Sequence, residues 1–240
     1  MITFSDFGNY SRLGNQLFQL AFLYSTAKKL NTKIFLKGYL FNDPTIYEYK
    51  ETVVRFLKNV NNCEIVKWVD TEEEYQKIYK ENINCQYVDP NFSFTDILLD
   101  NCDYNGYFQS EKYFYTYKDE ILNLFSSINE SYDFKKYKDL ILSSNNSLSI
   151  HIRRGDYVLQ ENCEKHNNLS DSKYYFNCYN YIKNNSNISH IFVFSDGIEF
   201  CKEYFKKINI FQGYKINYVY NLRNYEDLFL QSYCKNNIIA

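Results

Sequence analysis

The sequence predicts an α/β protein of two doubly wound domains, each a parallel sheet with helices packed on it. Three observations predict it. The chain opens strand–loop–helix–strand, a βαβ unit that implies parallel strands. The second half repeats the alternation of short apolar runs with helical patterns. Between the halves lies a polar break, Ser143-Ser-Asn-Asn-Ser147, just before the strongest strand signal in the chain. The break places a boundary between an N-terminal domain at 1–145 and a C-terminal domain at 146–240. The two are expected to face each other, with ligands at the carboxyl ends of the strands.

The elements follow in order. Ile2 to Phe7 reads as a strand ending in a loop at Gly8. Asn15–Leu30 is the best helix of the first half: Leu17, Leu20, Ala21, Tyr24, Ala27 and Leu30 recur at helical spacing, and Lys28 and Lys29 suit its negative end. Lys33–Leu36 is the next strand. Thr71–Asn82 carries a Thr cap and an acidic first turn, so it reads as a helix. Cys102–Phe108 is a strand and Lys118–Ser127 a helix. Then come strand Leu148–Ile152, helix Lys173–Lys183, strand His190–Phe194, helix Ile198–Lys207, strand Lys215–Val219 and helix Tyr225–Cys234. A last strand starts at Asn237.

Composition narrows the function. Across 240 residues, 27 Lys and Arg face 29 Asp and Glu, a balance that argues against a nucleic-acid binder. The 26 tyrosines and 20 phenylalanines come with only 7 glycines and 2 prolines, a bias toward A/T-rich codons. The aromatic residues are therefore expected to fill the core rather than stack on bases or sugars. Seven scattered cysteines without a C-x-x-C pair fit reduced thiols better than a disulfide framework or zinc site. With no signal-peptide pattern at the start and no run of about 18 apolar residues, the expectation is a cytoplasmic protein.

Three clusters carry chemistry. His151-Ile-Arg-Arg-Gly-Asp156 directly follows a buried strand and is poor core material. Arg153 and Arg154 suit a phosphate or diphosphate, Asp156 suits orienting a guanidinium, and His151 suits a ribose or phosphate oxygen. The plain alternative is a surface loop with an Arg–Asp salt bridge. Ser195-Asp196-Gly197, at the end of another apolar strand, suits a sugar hydroxyl or base edge, or simply caps the next helix. Ser11-Arg-Leu-Gly-Asn-Gln16 joins strand to helix. Its single Gly14 cannot make a G-x-G-x-x-G dinucleotide turn, yet helix-start amides with Arg12 suit an anion. The three histidines, His151, His166 and His190, form no H-x-x-x-H, and no D-x-D pair is present, so no metal site is expected.

Four segments together resemble one family. Ser11-Arg-Leu-Gly-Asn-Gln-Leu-Phe-Gln19 is similar to the G-x-L-G-N-Q-x-F-Q opening of the α-1,2-fucosyltransferases, glycosyltransferase family 11. Gly106-Tyr-Phe-Gln109 resembles its G-Y-F-Q segment, His151–Tyr157 its H-I-R-R-G-D-Y signature, and Cys234–Ala240 its C-K-H-x-I-I-A stretch. The resemblance implies a GT-B fold and inverting, metal-independent transfer of L-fucose from GDP-β-L-fucose to a galactose 2-hydroxyl. The partners it implies are GDP-fucose, as donor substrate rather than resident cofactor, and a galactose-terminated glycan; peripheral membrane association is compatible with it.

It further implies that Arg153 binds the diphosphate and stabilises its charge on departure. Arg154 and Asp156 would hold the loop or complete the phosphate site, with His151 and Asp196 toward ribose and guanine. The C-terminal domain would hold the GDP-sugar and the N-terminal domain the acceptor side, from which Arg12, Gly14, Asn15 and Gln16 would edge the cleft. Asp6 is the candidate base. Two departures are visible. Ser11 replaces the motif's opening Gly, and the family continues past I-I-A with N-S-T-x-S-W-W where this sequence ends at Ala240. The second domain is therefore expected to be incomplete. The alternatives left open are a non-catalytic remnant that binds GDP-sugar or glycan, and a fucosyltransferase of another linkage.

Overall fold

The computed structural model describes residues 1–8, 12–41, 57–90, 93–155, 173–208, 211 and 213–239. The chain forms two compact units, Met1–Asn129 and Glu130–Ala240. The first holds a five-stranded sheet: β1 (Ile2–Thr3), β2 (Ile34–Lys37), β3 (Val66–Val69), β4 (Cys85–Val88) and β5 (Cys102–Asn105). Their order is β3-β2-β1-β5-β4 and every pairing is parallel. Helices α1 (Leu13–Leu30), the short α2 (Lys58–Asn61), α3 (Glu72–Asn82) and α4 (Lys118–Phe125) accompany it.

The second unit holds β6 (Ser147–Ile152), β7 (His190–Ser195), β8 (Lys215–Tyr218) and β9 (Asn236–Ile238) in the order β8-β7-β6-β9, again all parallel. Its helices are α5 (Tyr132–Leu142), α6 (Tyr174–Asn185), α7 (Ile198–Ile208) and α8 (Asn224–Tyr233). Both units are thus doubly wound α/β sheets, as the alternation of patterns predicts.

The division falls before α5 rather than at the polar break, and a buried carboxylate explains why. Glu226, 1% exposed in the first turn of α8, accepts the Ser131 backbone N–H at 2.8 Å and the Arg223 N–H at 3.1 Å. It thereby ties the start of α5 to the start of α8. Phe134 of α5 meets Tyr233 of α8 edge to face, with centroids 6.4 Å apart. The polar residues 143–146 are only the turn from α5 into β6, which Ser147 begins.

Two predicted strands end early for local reasons. β1 stops at Thr3 because the Ser5 N–H turns to the Asp103 carboxylate at 2.9 Å, while the Phe7 N–H closes on the Phe4 carbonyl at 3.0 Å. β5 stops at Asn105 because Gly106 takes φ +132°, a conformation open to glycine. There a Cβ would lie 2.3 Å from that of Asp89.

The aromatic excess does fill the core. In the first unit Phe108 stacks on Phe22 with centroids 3.8 Å apart and planes 4° from parallel. Tyr113 and Tyr104 meet Phe108 edge to face at 5.5 and 6.2 Å. In the second, Leu148, Ile150 and Ile152 of β6 pack with Ile191 and Val193 of β7 beneath Tyr175 and Tyr179 of α6 and Cys201 and Phe205 of α7. The six described cysteines are free thiols. No helix among the described residues is long and apolar enough to cross a membrane.

Phe22→Ala should shift the urea midpoint of the first unit by the equivalent of about 3–5 kcal/mol, since it empties the centre of this ring cluster. Leu122→Ala, on the exposed side of α4, should change stability by under about 0.5 kcal/mol in the same titration.

Candidate functional site

In a doubly wound sheet the chain leaves its first strand toward one edge and later returns on the other side. The two crossovers part at that first strand, and a crevice opens at its carboxyl end. In the second unit it lies between β6 and β9. In the first, the chain crosses from β3 to the far edge strand β4 and returns to β5, and the segment after β5 packs on α1, on the same face as the exit from β1. All four motif segments border the ends of β1 and β5 or of β6 and β9. Ser11–Gln19 follows β1, Gly106–Gln109 follows β5, His151–Gly155 closes β6, and Cys234–Ile239 contains β9.

At the end of β6 the loop is held from β7 and α7. The Arg154 backbone N–H donates to Asp196 Oδ1 at 2.7 Å. Its guanidinium carbon lies 3.5 Å from the centroid of the Phe200 ring, a cation–π stack. Two glycines permit this approach. A Cβ on Gly197 would come within 3.1 Å of Arg154 Cγ, and one on Gly155, at φ +20°, within 2.5 Å of Asp196 Oδ2. Ser195 Oγ donates to the Ile152 carbonyl at 2.6 Å and accepts the Gly197 N–H at 3.0 Å. That hydroxyl joins the ends of β6 and β7.

Arg153 and His151 are half-buried beside this frame, and the His151 carbonyl accepts the Tyr175 hydroxyl at 3.3 Å. Beneath lies Cys201, whose thiol burial pushes up, so it is not poised as a thiolate nucleophile. Asp156 lies outside the described residues. The structure therefore brings Arg153, Arg154, Ser195 and Asp196 to one strand end, with Arg154, Ser195 and Asp196 joined in one scaffold.

The end of β1 is built differently. Asp6 is exposed and accepts the Asn105 side-chain N–H at 2.8 Å. Asn15, in the first turn of α1, accepts Gln109 Nε2 at 2.6 Å. Gln19 Nε2 donates to the Gly106 carbonyl at 2.9 Å, fixing the turn after β5 to α1. Gln16 is fully buried within the unit, and Gly14 is exposed with no atom within 4 Å of a Cβ placed there. Arg12 is the exposed N-cap residue of α1 and makes no side-chain cap bond. Ser11 lies outside the described residues.

Two buried acids that sequence reasoning missed support this end. Asp89, 4% exposed, accepts the Phe108 N–H at 3.0 Å and the Tyr113 hydroxyl at 3.3 Å. Burial and that carboxylate raise the Tyr113 pKa, which keeps its donor proton in place. Asp103 accepts from the Ser5 N–H and, at 3.0 Å, from the Tyr79 hydroxyl. Phe200 was missed as well. Asp89-Pro90 after a short run and the C-D-Y-N tetrad of β5 were the available signals for the acids; only the α7 fold-back reveals Phe200. Among the described residues, no group of three or more His, Cys, Asp or Glu side chains could hold a metal ion.

Comparison with known proteins agrees with the motifs. The family model described as "Glycosyl transferase family 11" matches residues 9–240. An Escherichia coli "Alpha-1,2-colitosyltransferase" is 30% identical over 248 residues, covering 95% of this chain and 80% of its own length. The Escherichia coli "O-antigen biosynthesis glycosyltransferase WbnK" is 31% identical over 268 residues, covering 95% and 83%. Among solved structures, fucosyltransferase NodZ from Bradyrhizobium aligns over 96% of this chain and 81% of its own, with a TM-score of 0.48 and 12% identity. The strand order above stands on this chain's own pairings. Matched from residue 9 to residue 240, and 30–31% identical to two relatives over nearly all its length, the chain belongs to glycosyl transferase family 11.

Proposed function

We propose that this glycosyltransferase moves L-fucose from GDP-β-L-fucose to the 2-hydroxyl of a galactoside, with inversion. The observation that carries the reading is the arginine pair at the carboxyl end of β6, beside the β6/β9 switch point. Arg154 is committed to Phe200 and Asp196, so its part is to shape the loop. Arg153 is the guanidinium assigned to the diphosphate. As the acceptor oxygen bonds to the anomeric carbon, the bond from that carbon to the diphosphate oxygen breaks. GDP departs with the electron pair. A fixed cation at that oxygen stabilises the charge as it develops. The hydroxyl proton passes to a base, for which Asp6 at the end of β1 is the candidate, or to water. His151 and Asp196 are assigned to the ribose and guanine side of the donor, and the family resemblance supports that assignment.

A second donor is favoured by one finding, the colitosyltransferase among the relatives. Colitose is L-fucose without its 3-hydroxyl. A pocket that hydrogen-bonds this hydroxyl discriminates strongly against a sugar lacking it. One that leaves it in solvent does not.

Titration calorimetry of GDP and GDP-fucose should show binding to the wild type that Arg153→Ala weakens roughly 10- to 100-fold, the loss of a charge-assisted hydrogen bond. No heat from folded wild-type protein with either nucleotide would sink the donor assignment. Phe200→Ala should weaken the same binding by a smaller factor of about 3–10, because it removes a stacking partner and not a phosphate ligand. Transfer to a β-galactoside should have a higher kcat/KM with GDP-fucose than with GDP-colitose; a reversed ratio reassigns the donor sugar.

A further inference from the structure

We infer that Cys85 and Cys102 form a modification site, a cross-strand disulfide that closes under oxidising thiol–disulfide conditions and staples edge strand β4 to β5.

Register brings the two thiols together. Cys85 opens β4, Cys102 opens β5, and the parallel ladder pairs them directly. Neighbouring strands run about 4.7–4.9 Å apart, inside the roughly 4.4–6.8 Å that separates the Cα atoms of a disulfide. Side chains alternate between faces along a strand, and the pair two positions on shows the shared face. That pair is Tyr87 and Tyr104, whose ring centroids lie 5.9 Å apart. Cys85 and Cys102 therefore stand side by side on the face of those rings. Cys85 Sγ is 3.7 Å from the carbonyl oxygen of Asn101, the residue just before Cys102. Of the six described cysteines, only these two lie on strands.

Their exposures divide the chemistry. Cys102 is fully buried, and burial, followed by the neighbouring Cys85 thiol, pushes its thiol up. Cys85 is half-buried on the edge strand, so a small disulfide reaches it first. The Cys85 thiolate attacks one sulfur of a small disulfide such as oxidised glutathione. A mixed disulfide forms, and the thiolate released takes up the proton that Cys85 gave up. The Cys102 thiol then loses its proton and attacks Cys85 Sγ; the second small thiolate leaves and takes up that proton. The two cysteines lose two electrons in all, and one small disulfide is reduced to two thiols. The fixed place of Cys102 beside Cys85 makes the second step intramolecular, which offsets its reluctance to ionise.

The bond falls where the sheet is least tied. β4 is an edge strand and pairs only with β5. The connection between them, 89–101, has no helix or strand among its described residues. A bond across its ends removes loop freedom from the unfolded chain. Asp89, whose carboxylate accepts the Phe108 N–H, directly follows β4, so the staple also fixes the strand that carries this support.

The test treats the full chain with oxidised glutathione or with dithiothreitol, then maps disulfides by mass spectrometry of a non-reducing digest. Cys85→Ser and Cys102→Ala are treated alike, with folding checked by circular dichroism. The inference expects a linked Cys85–Cys102 peptide in oxidised wild type, two of its seven thiols lost, and full reversal by dithiothreitol. Cys102→Ala should stop at a glutathione adduct on Cys85, and Cys85→Ser should form no link to Cys102. The Tm of oxidised wild type should rise by about 5 °C over the reduced form, with no such rise in Cys85→Ser. A glutathione adduct on wild-type Cys85 without the link overturns the inference. So does linkage through other cysteines only, or no loss of thiols. A link that leaves Tm unchanged or lower overturns the staple. Should either variant fail to fold, the wild-type map and Tm decide.

Discussion

The constraint on which the rest depends is the parting of crossovers at the first strand of a parallel sheet. Strand pairing satisfies the backbone laterally, but the carboxyl end of β6 opens where the chain has gone both ways, while the exits from β1 and β5 are joined on the α1 face. Each unit frames its strand ends with different side chains. After β6 the frame is a guanidinium stacked on Phe200, a carboxylate on a backbone amide and a serine joining two strand ends. After β1 it is a set of amides supported on buried Asp89 and Asp103.

Electrostatics follows from this choice. The loop after β6 sets two arginines side by side, and the glycines at 155 and 197 let Arg154 and Asp196 close on each other. The segments after β1 and β5, residues 5–16 and 103–110, carry Asp6 and Asp103 against Arg12.

Much of the fold was legible in the sequence because its strong elements carry their own period. The helix at 13–30 and the strands at 147–152 and 190–195 stand within two residues of where hydrophobic spacing puts them. β3 and β4 were not legible. They are four-residue edge strands, V-K-W-V and C-Q-Y-V, with exposed Lys67 and Val88, too short to show alternation. Helix α5 did carry signals, with Ser131 accepting the Phe134 N–H and Phe134 and Ile141 on one buried face, and could have been read.

The sequence by itself determined the α/β class and the family through its four ordered motifs, because these depend on local period and on residue type in order. Tertiary structure alone decided which strands are neighbours, hence that the four motifs border the ends of β1 and β5 and of β6 and β9. It also decided what individual motif residues touch. Gln16 is core and Gln19 a tether, Ser195 joins strands, and Arg154 is a stacked support. The reason is physical. Such roles are set by contacts between residues far apart in the chain, Arg154 with Asp196 or Phe108 with Asp89, and no local pattern encodes a partner's distance.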